Sequence, residues 1–196
     1  MSSAKVTDKL LADGRRQITV KHQELRGISP DMLSWWYGHV VGKMTYAGKV
    51  YPRYLVWHPL DHISYEANRL LDDGSVGAGT RLRITEEFQR QPGNFLQINV
   101  TVRERSAKGA TVEKRILGMT VVELANYFEP TPTGGTNYLS VMTIGTSSLP
   151  GRLGLNKLLN AKVLPGKVGL NWAHHHIEEI GNLEHFLGDL YEKNAR

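Results

Sequence analysis

The chain has 196 residues, 40% of them hydrophobic, and a formal net charge of +5. That supports one fair-sized domain with a buried core and excludes an extended disordered chain. Cysteine is absent, which removes disulfides, thiolate nucleophiles and sulfur-ligated zinc together and fits a cytoplasmic protein. No apolar run approaches the ~18 residues of a membrane span. The opening stretch MSSAKVTDKLLADGRRQ has no apolar signal core, so neither a membrane partner nor secretion by that route is expected. Lysines and arginines are scattered rather than clustered, so nucleic acid is not an expected partner.

In chain order, the sequence reads as a single domain over 1–196. Residues 1–24 form a polar N-terminal segment with a short extended piece at RRQITVK, and residues 25–192 form the folded body. SPDMLSWWYGHVVG opens as a helix: Ser29 caps it, Pro30 fits the first position and Asp31 the first turn. Its Met32, Leu33, Trp35 and Trp36 require a packing partner; the two tryptophans, like Trp57, read as core rather than substrate wall. YPRYLVW reads as a strand, and HPLDHISYEANRLLDDG as a loop with a helical turn. VGAGTRLRITEEFQR is a glycine-flexed approach to a strand, and NFLQINVTVRER alternates as another. TVEKRILGMTVVELANYFE reads as one long strand bulged at Gly118. PTPTGG is a turn, TNYLSVMTIG the returning strand, GRLGLNKLLNAKVL a helix, and 171–192 the terminal helix.

Consecutive strands followed by a long helix predict an α+β helix-grip fold, a curved antiparallel sheet wrapped around the C-terminal helix. That shape leaves a cavity between sheet and helix for a ligand.

At 100° per residue, Trp172, Ile180, Leu183, Phe186, Leu187 and Leu190 share one sector of the terminal helix, with His176 inside it. His174, Glu178 and His185 lie opposite and are expected to face water. His175 and Glu179, four apart and stacked on one face, are expected at the cavity margin. A carboxylate among leucine and phenylalanine is costly unless paired or bound to metal. An H-x-x-x-E pair makes a two-point metal clamp; its alternative is a His–Glu hydrogen bond on a solvated flank. In RLRITEEFQR, alternation puts Leu82, Ile84, Glu86 and Phe88 on one face, so Glu86 rather than Glu87 points to the apolar side, against the alternative of a buried ion pair with arginine. RYLVWHPLDH supplies His58 and His62 around a proline turn, and residue chemistry alone leaves open which of the two is the further ligand. His62, Glu86, His175 and Glu179 together would make a two-histidine, two-carboxylate site for one ion per chain, chemically open to zinc, manganese(II) or iron(II).

SPDMLSWWYGH, RYLVWHPLDH, ITEE and HHHIEEIGNLEHFL, in that order, resemble the diacetylphloroglucinol hydrolase family, which includes phloretin hydrolase. The resemblance runs over about residues 25–190, and the WHP-x-DH stretch and the terminal H-x-x-x-E are its most specific parts. It implies a Bet v 1-like helix-grip fold, a zinc ion, and hydrolysis of the carbon–carbon bond between an acyl group and a phenolic ring. Carried over by motif, the zinc ligands are His62, Glu86, His175 and Glu179. A substrate-contacting tyrosine eight residues before the first histidine ligand matches Tyr54, which favours His62 over His58. This chain departs from the family in three ways. It is shorter than the characterised hydrolases at its N-terminal side, which leaves a homodimer open. An expected asparagine falls near Tyr65. A histidine between the second and third ligands has no counterpart, since none occurs between His62 and His174.

The chemistry expected of such a site is attack of a metal-activated water on an acyl carbonyl, then expulsion of a ring carbanion delocalised as an enolate. Tyr54 and Glu179 are the expected catalytic residues, with Tyr54, Tyr65 and Tyr138 as substrate contacts; Tyr138 reads equally well as a sheet tyrosine with its hydroxyl at the rim. The expected partner is a small aromatic or polyketide-like molecule. A cyclase or aldol-type enzyme, or a binder of hydrophobic ligands, would fit the same scaffold. GSVGAGT precedes a strand and is in the wrong context for a dinucleotide loop.

Overall fold

Period-two alternation over most of the chain builds one large antiparallel sheet. The computed structural model describes residues 4–91, 93–165 and 167–195. In chain order the elements are β1 (Ala4–Leu10), β2 (Arg16–His22), α1 (Pro30–His39), β3 (Lys43–Tyr46), β4 (Lys49–Pro52), α2 (Arg53–Trp57), β5 (His62–Ala67), β6 (Arg81–Glu87), β7 (Phe95–Ser106), β8 (Gly109–Ile116), β9 (Met119–Pro130), β10 (Thr136–Ile144), α3 (Asn156–Val163), α4 (Val168–Asn182) and α5 (Leu187–Asn194). Eight strands form the sheet in the order β1-β2-β10-β9-β8-β7-β6-β5, and β3 and β4 form a separate hairpin. Helix α4 lies against the inner face: Trp172 and Ala173 pack with Ile18, Val20, Met142 and Ile144. At one end α1 and α5 close a second core, where Leu33, Trp36, Leu183, Phe186, Leu187 and Leu190 meet Phe128 and Tyr138. This is the expected α+β helix-grip arrangement. No helix among the described residues is long and apolar enough to cross a membrane.

The start of α1 follows its sequence signals, with Ser29 Oγ accepting the Met32 N–H at 3.2 Å. Five other expectations need correction. The N-terminal segment is not apart from the fold, because β2 pairs with β10 and β1 pairs with β2. YPRYLVW is a strand only to Pro52; Pro52 has no N–H to continue a ladder, and Arg53–Trp57 turns as α2, burying Tyr54 and Trp57 three apart. His62–Ala67, expected in a loop, is the edge strand β5. The long strand bulged at Gly118 is two strands, because Leu117 and Gly118 both take positive φ (48° and 79°) and close a tight hairpin. The terminal helix breaks at Leu183–Phe186, where Phe186 leaves helical geometry at φ −146°, and α5 turns back onto α1.

Trp36 is fully buried, edge-on to Trp57 at 5.4 Å and to Phe186 at 5.2 Å, and so joins α1, α2 and the break after α4. Trp36→Ala is expected to cost about 3–5 kcal/mol of unfolding free energy in a denaturant titration.

Candidate metal centre

Three segments far apart in sequence meet at the inner face. In the β5–β6 ladder His62 pairs directly with Glu86, so both side chains leave the same side of the sheet. One turn of α4 places His175 above Glu179. His62 Nε2 lies 3.4 Å from Glu179 Oε2 and 3.8 Å from Glu86 Oε1. His175 Nε2 lies 3.9 Å and 4.0 Å from the same two oxygens. All four residues are buried. Donors bound ~2.0–2.2 Å from one tetrahedral ion would stand roughly 3.4 Å apart; donor atoms of His62, His175 and Glu179 lie close enough together to hold an ion, and Glu86 Oε1 stands 3.8 Å and 4.0 Å from the two imidazoles.

Hydrogen bonds fix which nitrogens are free. His62 Nδ1–H donates to the Tyr54 carbonyl at 2.7 Å, leaving a buried Nε2 with no hydrogen-bond partner. His175 Nδ1–H donates to Asp61 Oδ2 at 3.0 Å, and Asp61 is anchored in turn by the Gln89 N–H. In both rings Nδ1 is committed and Nε2 faces the two carboxylates, the arrangement that carboxylate and carbonyl partners give to metal-binding histidines. His58, Asp61 and His175 also bring donor atoms close together. His58 is nevertheless unsuited as a ligand: its Nδ1 accepts the Asp61 N–H at 3.1 Å, so its proton sits on Nε2 and donates to Glu178 Oε2 at 3.1 Å. Glu178 is thus half-buried and engaged by His58 rather than simply facing water, while His174 and His185 are exposed as expected. Glu87 is half-buried, outside the cluster.

The charge balance is unusual for an interior. Burial pushes the Glu179 carboxyl up, but the His176 hydrogen bond and the surrounding imidazoles outweigh it and hold the group well below the ordinary range. Burial also opposes protonation of His175, yet the Asp61 hydrogen bond and the charges of Glu86, Glu179 and Asp61 raise it to about 9. Without an ion, a proton does part of the ion's electrostatic work.

The sequence matches the DAPG hydrolase PhiG domain family over residues 9–192. The chain belongs to the DAPG hydrolase family. No curated protein sequence matches it significantly. Among solved structures, Ara h 8.0201 is similar at a TM-score of 0.52 and 14% identity, covering 89% of this chain and 98% of that one. A Staphylococcus aureus protein of unknown function, SA2116, is similar at 0.51 and 13%, covering 91% and 96%. At these identities the likeness shows the Bet v 1-like fold alone.

In this DAPG hydrolase family member the tyrosines expected at the substrate divide. Tyr54 stacks on His62 at 3.7 Å between ring centres, and its hydroxyl donates to Glu86 Oε1 at 2.5 Å. Tyr65 is half-buried, with its ring 5.1 Å from that of Tyr54. Tyr138 is fully buried rather than at the rim, and its hydroxyl lies 2.5 Å from that of Tyr37. Apolar side chains half-buried on the inner face, Ile84, Leu96 and Leu124, continue the lining beside Glu86. A groove of about 1310 Å³ runs along the His174–Glu178 flank of α4 and is lined by Trp57, His58, His62, Glu178 and Asn182.

Sequence reasoning missed Tyr37, Asp61, His176 and the Ser140–Asn126 pair. His176 Nδ1–H donates to Glu179 Oε1 at 2.5 Å and its Nε2 meets Ser140 Oγ, which donates to Asn126 at 2.8 Å. This chain of contacts ties up one oxygen of Glu179 and leaves the other to the cluster. Asp61 was legible as the neighbour of His62, and His176 as the residue three before Glu179; Tyr37 had no local signal beyond its place in an aromatic helix.

Two outcomes test the centre. His62→Ala and His175→Ala are expected to lose bound metal by elemental analysis, while His58→Ala retains it. Below pH 9 an ion must displace the His175 proton, so metal affinity is expected to fall as pH drops. Calorimetry at pH 7 in buffers of different ionisation heat should count about one proton released per ion.

Proposed function

We propose that this protein is a zinc-dependent hydrolase that cleaves the carbon–carbon bond between an acyl group and a phenolic, phloroglucinol-like ring. The observation that carries the reading is the two imidazole Nε2 atoms that face two buried carboxylates, each ring fixed by a hydrogen bond at Nδ1. Membership of the DAPG hydrolase family supports the reaction class. His62, Glu86, His175 and Glu179 would hold the ion, and the thiolate-free N₂O₂ donor set suits zinc. When bound, the ion supplies Lewis-acid polarisation of a carbonyl and a water acidic enough to ionise near neutral pH.

The remaining work belongs to the chain. The Tyr54 hydroxyl donates to Glu86 Oε1 at 2.5 Å; once an ion engages that carboxylate, the hydroxyl would turn its proton to the carbonyl oxygen as that oxygen gains charge. His176 holds Glu179 by one oxygen so that the carboxylate keeps a single orientation. Trp57 donates from Nε1 to the Glu179 carbonyl at 2.8 Å and, with Tyr54, walls His62 from water. Water adds its oxygen to the acyl carbon, the bond to the ring breaks, and the ring carbon takes a proton, giving a carboxylic acid and the free phenol. One proton of the water stays with the acid and the other replaces the proton given to the ring carbon; the hydroxyl pair of half-buried Tyr37 and buried Tyr138, both raised above the ordinary phenol range by burial, would relay that proton with no net loss of its own.

Incubation with an acylated phloroglucinol is expected to release the short carboxylic acid and the free ring, with the activity lost to a chelator and regained on adding zinc. Consumption without acid release would point instead to a cyclase or aldol-type reaction. Tyr54→Phe is expected to lower kcat about 10²–10³-fold in protein saturated with zinc, and to weaken zinc binding by less than the loss of His62 or His175 does.

A further inference from the structure

Four leucines at one end of the molecule are left in water. Leu117 is 92% exposed, Leu153 78%, Leu149 67% and Leu158 52%. Exposed leucines scattered singly need no explanation, but several gathered in one place mark a contact surface. Three stretches remote in sequence are bonded together here. Ser148 Oγ donates to Met119 Sδ at 3.2 Å, which brings the loop after β10 to the β8–β9 turn that carries Leu117. Asn156 Nδ2 donates to the Asp13 carbonyl at 2.9 Å and Asn160 Nδ2 to the Gly14 carbonyl at 3.0 Å, which fixes α3 on the β1–β2 turn. Asn156, Leu159, Asn160 and Val163 form the inward side of α3, so Lys157, Leu158, Ala161 and Lys162 form the outward side.

The same end gathers positive charge. Residues 11–15, 115–119 and 147–164 hold Arg15, Arg115, Arg152, Lys157 and Lys162 against one acid, Asp13. Asp13 is already paired with Arg15 at 2.8 Å. These stretches carry a net +4 of the chain's +5. Residues that are dispersed along the sequence are collected by the fold.

The arrangement of the leucines narrows the occupant. Leu117 sits at a hairpin tip, where it and Gly118 take positive φ. Leu153 precedes Gly154, at φ 127°, in a separate turn. Leu158 stands between two lysines on a helix. Leucines on separate projections make no flat face for a folded partner, and nucleic acid offers them nothing apolar to enter. A bilayer interface accepts apolar tips at any spacing, and anionic headgroups match the arginines and lysines around them.

We propose that this end docks on the surface of an anionic membrane. Leu117, Leu149, Leu153 and Leu158 enter the acyl boundary, and Arg115, Arg152, Lys157 and Lys162 rest on the headgroups. That no membrane partner is expected from the sequence rests on the lack of a spanning run, which does not bear on attachment to a surface. The docking does not depend on the reaction proposed for the metal centre.

The test is co-sedimentation of the full chain with vesicles of phosphatidylcholine and phosphatidylglycerol in equal parts. Wild type is expected to pellet with them, to stay in solution with phosphatidylcholine alone, and to be released by salt. Leu117→Gln and Leu153→Gln are each expected to weaken binding about tenfold, and Lys157→Gln and Lys162→Gln about fivefold each, with the unfolding midpoint unchanged. The chain has no cysteine, so a polarity-sensitive dye can be placed at Leu117→Cys alone, where its emission is expected to shift to the blue on adding the mixed vesicles. At Ala107→Cys, exposed in the β7–β8 turn at the other end of β8, no shift is expected. Failure to pellet with the mixed vesicles, equal pelleting with phosphatidylcholine alone, leucine variants that bind as wild type does, or equal dye shifts at the two positions would overturn the proposal. A dimer in solution that the leucine substitutions split into monomers would overturn it in favour of a second copy of the chain as the occupant.

Discussion

Two carboxylates, Glu86 and Glu179, are buried within reach of the same two imidazole nitrogens. Much of the structure follows from the need to make that tolerable. A single buried carboxylate costs several kcal/mol unless compensated, and here both face imidazole Nε2 atoms of rings held through Nδ1. The interior is therefore built to lack a positive charge at one point. A divalent ion would supply it, with a proton on His175 as the lesser substitute.

The compensation is distributed over elements that also make the fold. Tyr54 belongs to α2 and gives its carbonyl to His62 and its hydroxyl to Glu86, so one residue orients two donors. Asp61 sits in the turn into β5, where it takes the His175 proton and, through its own N–H, sets the tautomer of His58. That second bond is what distinguishes two histidines four residues apart. His176 reaches from α4 to β10 and β9 through Ser140 and Asn126, so the helix is keyed to the sheet by polar contacts as well as by the packing of Trp172. A slip of one residue in β6 would exchange Glu86 for Glu87 and remove a donor.

How much of this was legible in the sequence depends on which rule each residue obeys. Glu86 was placed on the inner face because strands alternate. His175 and Glu179 were found because helices repeat every 3.6 residues. The choice of His62 over His58 was not available from residue chemistry; it came from the family spacing, and its physical cause, a backbone N–H on the wrong nitrogen of His58, exists only once the turn has folded. Arg53–Trp57 misled because aromatic and branched residues favour strands, whereas Pro52 and the burial of Tyr54 and Trp57 impose a helical turn. The contact between Tyr37 and Tyr138 joins residues about a hundred positions apart, and no local pattern encodes it.

The most direct test of the central claim is X-ray absorption at the metal edge of the purified, metal-loaded protein. The account predicts one ion per chain bound by two histidine nitrogens and two carboxylate oxygens at about 2.0–2.2 Å, with the shell unchanged in His58→Ala and short of one nitrogen in His62→Ala. A shell containing a single histidine, or one that changes when His58 is removed and not when His62 is, would contradict it.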